Sequence, residues 1–175
     1  MITKSQKILI LLGILAILVI IWLVWQNPWQ NNKSAELDSI FTADMTQANK
    51  IEIIQGETTT TLTKIDDNWQ VEAKESSKAN QFLIDNLIEA VTQSQKGTLI
   101  SQNEEKFTNF MLTSENARKL KIHDQSDNLL VDLLVGKFGV TGSSQTYIRL
   151  PEDNKIYLVE AGLLSSINQT DWKEP

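Results

Sequence analysis

Gly136, Lys137, Gly139 and Gly142, in the run GKFGVTGSS, are the residues whose types come nearest to a known chemistry. Glycines let backbone amides cradle a phosphate, provided a helix then turns its N-terminus toward the anion. Here the spacing matches neither GxxxxGK[ST] nor GxGxxG, and the next element predicted is a strand at Tyr147–Leu150. The expectation is therefore a strand-to-strand hairpin loop. His123 is the single histidine, and a Ser-His-Asp relay would need it buried beside a serine. Alternation instead places it with Lys119 and Lys121 on the polar face of a strand, and Ser143-Ser144 lacks the GxSxG elbow.

The carboxylates show no diagnostic pairing. Asp66-Asp67, Glu104-Glu105 and Asp124 with Asp127 fall in predicted turns or loops, where aspartate caps its own backbone. No window carries the alternating ligands, sixth-position glycine and twelfth-position glutamate of a calcium loop. Tyr147 and Arg149 share one face of a strand, with Tyr157 on the expected neighbour. Arginine stacked on tyrosine could form a partner-binding patch, and an ordinary cross-strand pair is the blander reading. No catalytic set, metal site or cofactor site is expected.

Alternating strands and one helix must position these residues. Ile51–Ile53, Thr58–Ile65 and Trp69–Ala73 read as a three-stranded meander, turning at Asp66-Asp67-Asn68. A helix over Ser77–Gln95 follows from Leu83, Leu87, Ala90, Val91 and Ser94, with Phe82 and Ile88 widening the stripe. Ser76 or Ser77 would cap it and Gly97 would end it. A less regular stretch holds Phe107, Phe110 and Leu112. Strands resume at Leu120–Ile122, Leu129–Val135, Tyr147–Leu150 and Ile156–Val159, with turns at Asp124–Asn128 and Pro151–Asn154. A short helix over Ala161–Asn168 closes an α+β domain of antiparallel meanders with covering helices.

Upstream, Ile8–Trp25 runs for eighteen residues without a charge, fourteen of them Leu, Ile or Val. At 1.5 Å per residue a helix of that length spans about 27 Å, which suits a bilayer core of roughly 30 Å. Lys4 and Lys7 precede it, while Lys33 is the first cation after it, so the positive-inside bias puts the N-terminus in the cytoplasm. Trp22, Trp25 and Trp29 crowd the far end, as an aromatic belt does. A cleaved signal peptide would have a shorter apolar run and a small-x-small site. The organisation expected is a cytoplasmic segment 1–7, a transmembrane helix 8–25, a polar linker 26–34 and an extracytoplasmic domain 35–175.

Beyond the apolar run lie all 22 acidic residues and 14 of the 16 basic ones, a net charge of −8. That balance argues against binding nucleic acid or an anionic membrane surface through bulk electrostatics. With no cysteine there is no disulfide framework, thiolate metal site or cysteine nucleophile.

The order of Ile51-x-Ile53, Asp67-Asn68-Trp69, Leu133–Lys137 (LLVGK), Tyr147-Ile148-Arg149 and Ile156–Val159 resembles an uncharacterised bacterial membrane-anchored family, domain of unknown function 4340. Asn68 stands where members usually carry glycine, and Phe110–Thr113 lacks their glycine and proline. The resemblance covers roughly residues 35–167. It implies an inner-membrane location and, because some members are encoded near gliding-motility-type ABC transporters, an auxiliary role to a transporter. No catalytic residues are implied. The functional expectation is a single-pass binding or scaffolding module with the lipid bilayer and possible membrane proteins as partners. The alternative is an extracytoplasmic hydrolase or small-ligand-binding domain, which would need a concave pocket gathering His123, serine or several carboxylates, and the strand assignments predict that such a pocket is missing.

Overall fold

Ten strands join edge to edge in one antiparallel sheet, in a computed structural model that describes residues 37–73 and 76–175. The strands are β1 (Asp38–Ser39), β2 (Lys50–Gln55), β3 (Thr58–Ile65), β4 (Asn68–Val71), β5 (Ser77–Lys78), β6 (Lys96–Ser101), β7 (Arg118–His123), β8 (Leu129–Gly139), β9 (Gly142–Arg149) and β10 (Ile156–Val159). Their spatial order is β1-β6-β10-β9-β8-β7-β2-β3-β4-β5. The helices are α1 (Gln81–Gln93), the single turn α2 (Phe107–Phe110) and α3 (Leu163–Ile167). The fold is thus mostly antiparallel sheet with a few helices. The expected anchor, with Lys4, Lys7, Trp22, Trp25 and Trp29, and the linker 26–34 lie outside the described residues. Among the described residues no helix is long and apolar enough to cross a membrane.

Local chemistry accounts for the first meander. Asp66 and Asp67 both adopt positive φ, +47° and +62°, giving the two-residue turn whose twist suits a hairpin. Asn68 Nδ2 donates to the Asp66 carbonyl at 2.8 Å and steadies it. Alternation then sends Ile51, Ile53, Leu62, Trp69 and Val71 to one face. The strand ends at Val71, so Ala73, expected on that face, is exposed.

α1 covers this face with Ile84, Leu87, Ala90 and Val91, against Leu120, Ile122, Leu133 and Ile148. It starts later than expected: Asn80, not Ser76 or Ser77, is the N-cap, its Oδ1 accepting from the amides of Phe82 and Leu83 at 3.1 and 3.4 Å. Ser77 instead lies in β5, paired with Val71. Phe82 does not widen the buried stripe, being 70 % exposed. Gly97 does not end the helix; it lies in β6, where a Cβ would press on the Leu158 carbonyl at 2.8 Å. Sequence reading left β6 out, and it carries one flank of the sheet between β1 and β10.

The opposite face is divided. Over β8, β9 and β10 the segment 103–117 folds back, with Phe107, Phe110 and Leu112 meeting Leu134, Tyr147 and Ile156. Across β2, β7 and the start of β8 no helix of the described residues covers it. Lys50, Glu52, Lys121 and Asp132 stand there, half-buried among one another.

Candidate functional site

Arg149 is the most heavily engaged polar side chain of the domain. Alternation along β9 puts it and Tyr147 on the divided face, under the segment 103–117. Its Nε donates to the Leu112 carbonyl at 2.9 Å, and Nη1 donates to the carbonyls of Leu150, Pro151 and Asp153 at 3.1, 2.9 and 3.0 Å. The Phe107 ring closes the stack, with its centroid 4.1 Å from the guanidinium carbon. Burial pulls the guanidinium pKa below its ordinary value, opposed by the charges of Glu104, Asp153 and Glu152. An arginine fits because its planar fork reaches several carbonyls at once and its face stacks on an aromatic ring. The arrangement staples the segment 103–117 and the β9–β10 turn to the sheet.

The three residues read as a partner patch are not brought together on one face. Tyr147 packs against Phe110, with ring centroids 4.5 Å apart, and Arg149 stacks on phenylalanine rather than tyrosine. Tyr157 pairs with Ile148 and faces the α1 side, 4 % exposed. Burial raises its phenol pKa, opposed in part by Lys155.

His123 keeps the polar face that its alternation predicts, yet it is not open to solvent. Its side chain is 14 % exposed between two carboxylates, with Nε2 3.7 Å from Glu52 Oε2 and Nδ1 3.4 Å from Asp127 Oδ1. Lys50 completes the cluster at 3.1 Å from Glu52 and 3.4 Å from Asp127. The Glu52 hydrogen bond raises the Lys50 pKa. No serine belongs to this group, so it holds charge without a nucleophile to activate.

The glycine loop is a hairpin, as its spacing predicts. Gly139 pairs with Gly142 across the two-residue turn Val140-Thr141, and Gly142 takes φ +98°. The Thr141 amide donates to Gln145 Oε1 at 3.4 Å, and Gln145 Nε2 donates to Glu160 Oε1 at 3.0 Å. An amide that a phosphate would need is already occupied by a side chain of the next strand.

A cleft of about 550 Å³ opens at the end of the sheet where the acidic turns meet. Asp66, Asp67, Asp124 and Ser126 line it, with Lys64 and Asn49. Sequence reading expected no pocket gathering several carboxylates; the β3–β4 and β7–β8 turns, distant in sequence, create one because β7 pairs with β2. His123 does not line it. Its carboxylates also serve their own turns. Asp124 accepts from the Ser126 and Asn128 amides at 2.8 and 2.9 Å and from Asn128 Nδ2 at 2.8 Å. Those bonds, the Asn128 side chain foremost, hold the Asp124 pKa below its usual value. Among the described residues no group of His, Asp and Glu is placed to hold a metal ion.

The family model described as a domain of unknown function, DUF4340, matches residues 69–175, more than half of the chain. The chain belongs to this family. The DUF4340 match begins at Trp69 of the first hairpin, so Ile51-x-Ile53 precedes it, and it takes in LLVGK, Tyr147-Ile148-Arg149 and Ile156–Val159. Both the Arg149 staple and its carbonyl partners thus lie inside the DUF4340 portion. No curated protein and no solved structure matches the chain.

Proposed function

We propose that this DUF4340 protein is a single-pass, N-in membrane protein whose acidic domain, outside a bacterial plasma membrane, binds or scaffolds a membrane partner such as an ABC-type transporter. The apolar run Ile8–Trp25 and the lysines before it support the placement. Tethering suits a weak binder, since it raises the effective concentration of a partner in the same membrane.

The observation that carries the binding role is the half of the second sheet face that no helix of the described residues covers. Segment 103–117 covers one half, while Lys50, Glu52, Lys121 and Asp132 form an ordered, charged surface on the other. Alternating charge of this kind favours register and partner choice over raw affinity. Purification of the full chain from detergent-solubilised membranes tests the reading. The expected result is co-elution of a transporter ATPase and permease, reduced at least tenfold by Lys121→Glu combined with Asp132→Lys. Recovery of the lone chain, under conditions that keep known membrane complexes together, overturns it.

One observation favours a second reading, a small-ligand-binding domain: the carboxylate-lined cleft beside Lys64. In that case Asp67→Asn weakens binding of a small cationic ligand and leaves co-purification unchanged.

A further inference from the structure

A second hollow, of about 600 Å³, adjoins the cleft of the acidic turns and shares Lys64 and Asp67 with it. Two stretches of chain wall it. Gln81, Asp85, Ile88 and Thr92 recur along α1 at helical spacing and so present one stripe to the hollow. The other wall is the segment 43–48, which Gln95 Nε2 holds by donating to the Ala43 carbonyl at 2.9 Å. The β3–β4 hairpin adds Lys64, Asp67 and Trp69.

The lining divides by depth. Met45 and Trp69 are buried members of the core, Ile88 packs against it, and together they make an apolar floor. Asp44, Asp67 and Asp85 are exposed and make the rim, where Lys64 is the one cation of the lining. Lys64 is engaged by Asp67, its Nζ 3.2 Å from Oδ1. The other two carboxylates are held by neutral groups. Asp85 Oδ1 accepts from Gln81 Nε2 at 2.7 Å, while Asp44 accepts from Thr46 through Oδ1 and from Gln47 through Oδ2. Both oxygens of Asp44 thus serve its own turn, whereas Asp85 keeps Oδ2 for a further donor.

We infer that this hollow binds a small primary ammonium compound with an apolar body. The body lies on Met45, Trp69 and Ile88, and the ammonium meets the rim at Asp85. The inference deepens the small-ligand reading and rests on it. Three carboxylates against one lysine repel an anion and favour a cation. The apolar floor then selects among cations, because an inorganic ion leaves it in water. An ammonium donates to carboxylate oxygens in charge-assisted hydrogen bonds. An exposed ion pair contributes little by itself, so charge and apolar body have to act together. The volume falls within the roughly 300–1,000 Å³ of small-molecule sites.

The probe is 2-phenylethylamine, with 2-phenylethanol as its uncharged isostere and ethylamine as the cation without the body. Full-length protein in zwitterionic detergent is titrated with each and followed by NMR. The Ile88 methyl and Trp69 indole N–H signals report this hollow, and the Asp66 and Ser126 amides report the neighbouring cleft. The expected result is a saturable shift at Ile88 and Trp69 with 2-phenylethylamine, and at least fivefold weaker binding of the other two. Asp85→Asn should weaken the amine at least threefold. Lys64→Gln, which releases Asp67, should tighten it at least twofold. Shifts confined to Asp66 and Ser126, and unmoved by Asp85→Asn, overturn this site and leave the cleft reading standing. Equal binding of 2-phenylethanol overturns the ammonium class. Tighter binding of the peptide Ala-Lys-Ala than of the amine makes a partner's lysine the occupant and overturns the small-molecule assignment. No saturable shift at either place overturns both readings.

Discussion

The guanidinium of Arg149 stacks on the ring of Phe107, 4.1 Å from its centroid, while its nitrogens donate to four backbone carbonyls. The pair joins the end of β9 to a single helical turn 42 residues earlier in the chain. Replacing Arg149 by Met leaves the carbonyls of Leu112, Leu150, Pro151 and Asp153 with unmet hydrogen-bonding needs under a packed segment. The expected loss is about 3 kcal/mol, read from urea unfolding. Arg149→Lys recovers only part of it, because an ammonium reaches fewer carbonyls and does not stack in the same way. Phe107→Leu keeps the hydrogen bonds and costs less than Arg149→Met.

Gly136 lies under the same cap. A Cβ there would collide with the Phe110 carbonyl and press on Leu112. Gly136→Ala is expected to destabilise the domain by roughly 1–3 kcal/mol, as overpacking does. Thr141→Ala, at the exposed hairpin turn, stays within about 0.5 kcal/mol. Thermal unfolding of the two variants separates a glycine needed for close approach from a loop that tolerates change.

The sequence made strands legible wherever one face is buried and the other polar. β7 places Leu120 and Ile122 inward as read, Thr58–Ile65 takes the bounds its β-branched threonines predict, and Ile156–Val159 keeps its predicted bounds although both of its faces are buried. β6 was not legible because KGTLIS does not alternate: Gly97 is required by packing against Leu158, and Ile100 is 39 % exposed. The role of Arg149 was hidden for a different reason. An arginine beside a tyrosine on a strand looks solvent-facing, and its partners include a carbonyl at Leu112, within a stretch of no clear period. Met111, with φ +57°, turns the chain there so that Leu112 points inward and its carbonyl meets Arg149. The acidic cleft was equally invisible, since each turn reads as self-capped and only the β2–β7 pairing brings the turns together.

Asn80 decides where α1 begins. Removing its side chain in Asn80→Ala frees the Phe82 and Leu83 amides and is expected to cost about 1 kcal/mol. Ser76→Ala is expected to change nothing measurable, because Ser76 is exposed and precedes β5 rather than the helix. Denaturant midpoints of the two variants distinguish the observed cap from the one the sequence alone suggested.

The β7–β8 turn carries a pH dependence of known sign. Hydrogen bonds from Asn128, side chain and backbone, lower the Asp124 pKa from its ordinary 3.8. A carboxylate with a depressed folded pKa contributes stability that is present above its unfolded value and is lost as pH falls through the folded one. The Ser126 and Asn128 amides, which donate to Asp124 at 2.8 and 2.9 Å, should keep their protection from hydrogen exchange at pH 5 and lose it below 3.8. In Asp124→Asn this acid-dependent loss of protection should be absent.

Trp172 closes the first meander from the far end of the chain. It is 4 % exposed and belongs to the core under α1, although it sits in a polar run with no strand or helix period. Backbone pairing explains its position: the Asn80 amide donates to its carbonyl at 2.7 Å, the Glu174 amide donates to Lys78 at 3.0 Å, and Lys173 bridges to Ala79. These bonds hold the segment beside β5, so the indole is directed into the core next to the helix start that Asn80 caps. Trp172→Ala should cost about 3–5 kcal/mol, as loss of a buried aromatic does. Trp172→Phe should cost less, since it retains most of the apolar volume. The Asn80–Trp172 bond joins main-chain groups and survives both substitutions, so coupling passes through the shared docking of the helix start, and on that ground Asn80→Ala and Trp172→Ala should not add. Their double variant, measured by urea unfolding, should fall short of the sum by more than about 0.5 kcal/mol, and strict additivity would mean that the two ends stabilise α1 independently.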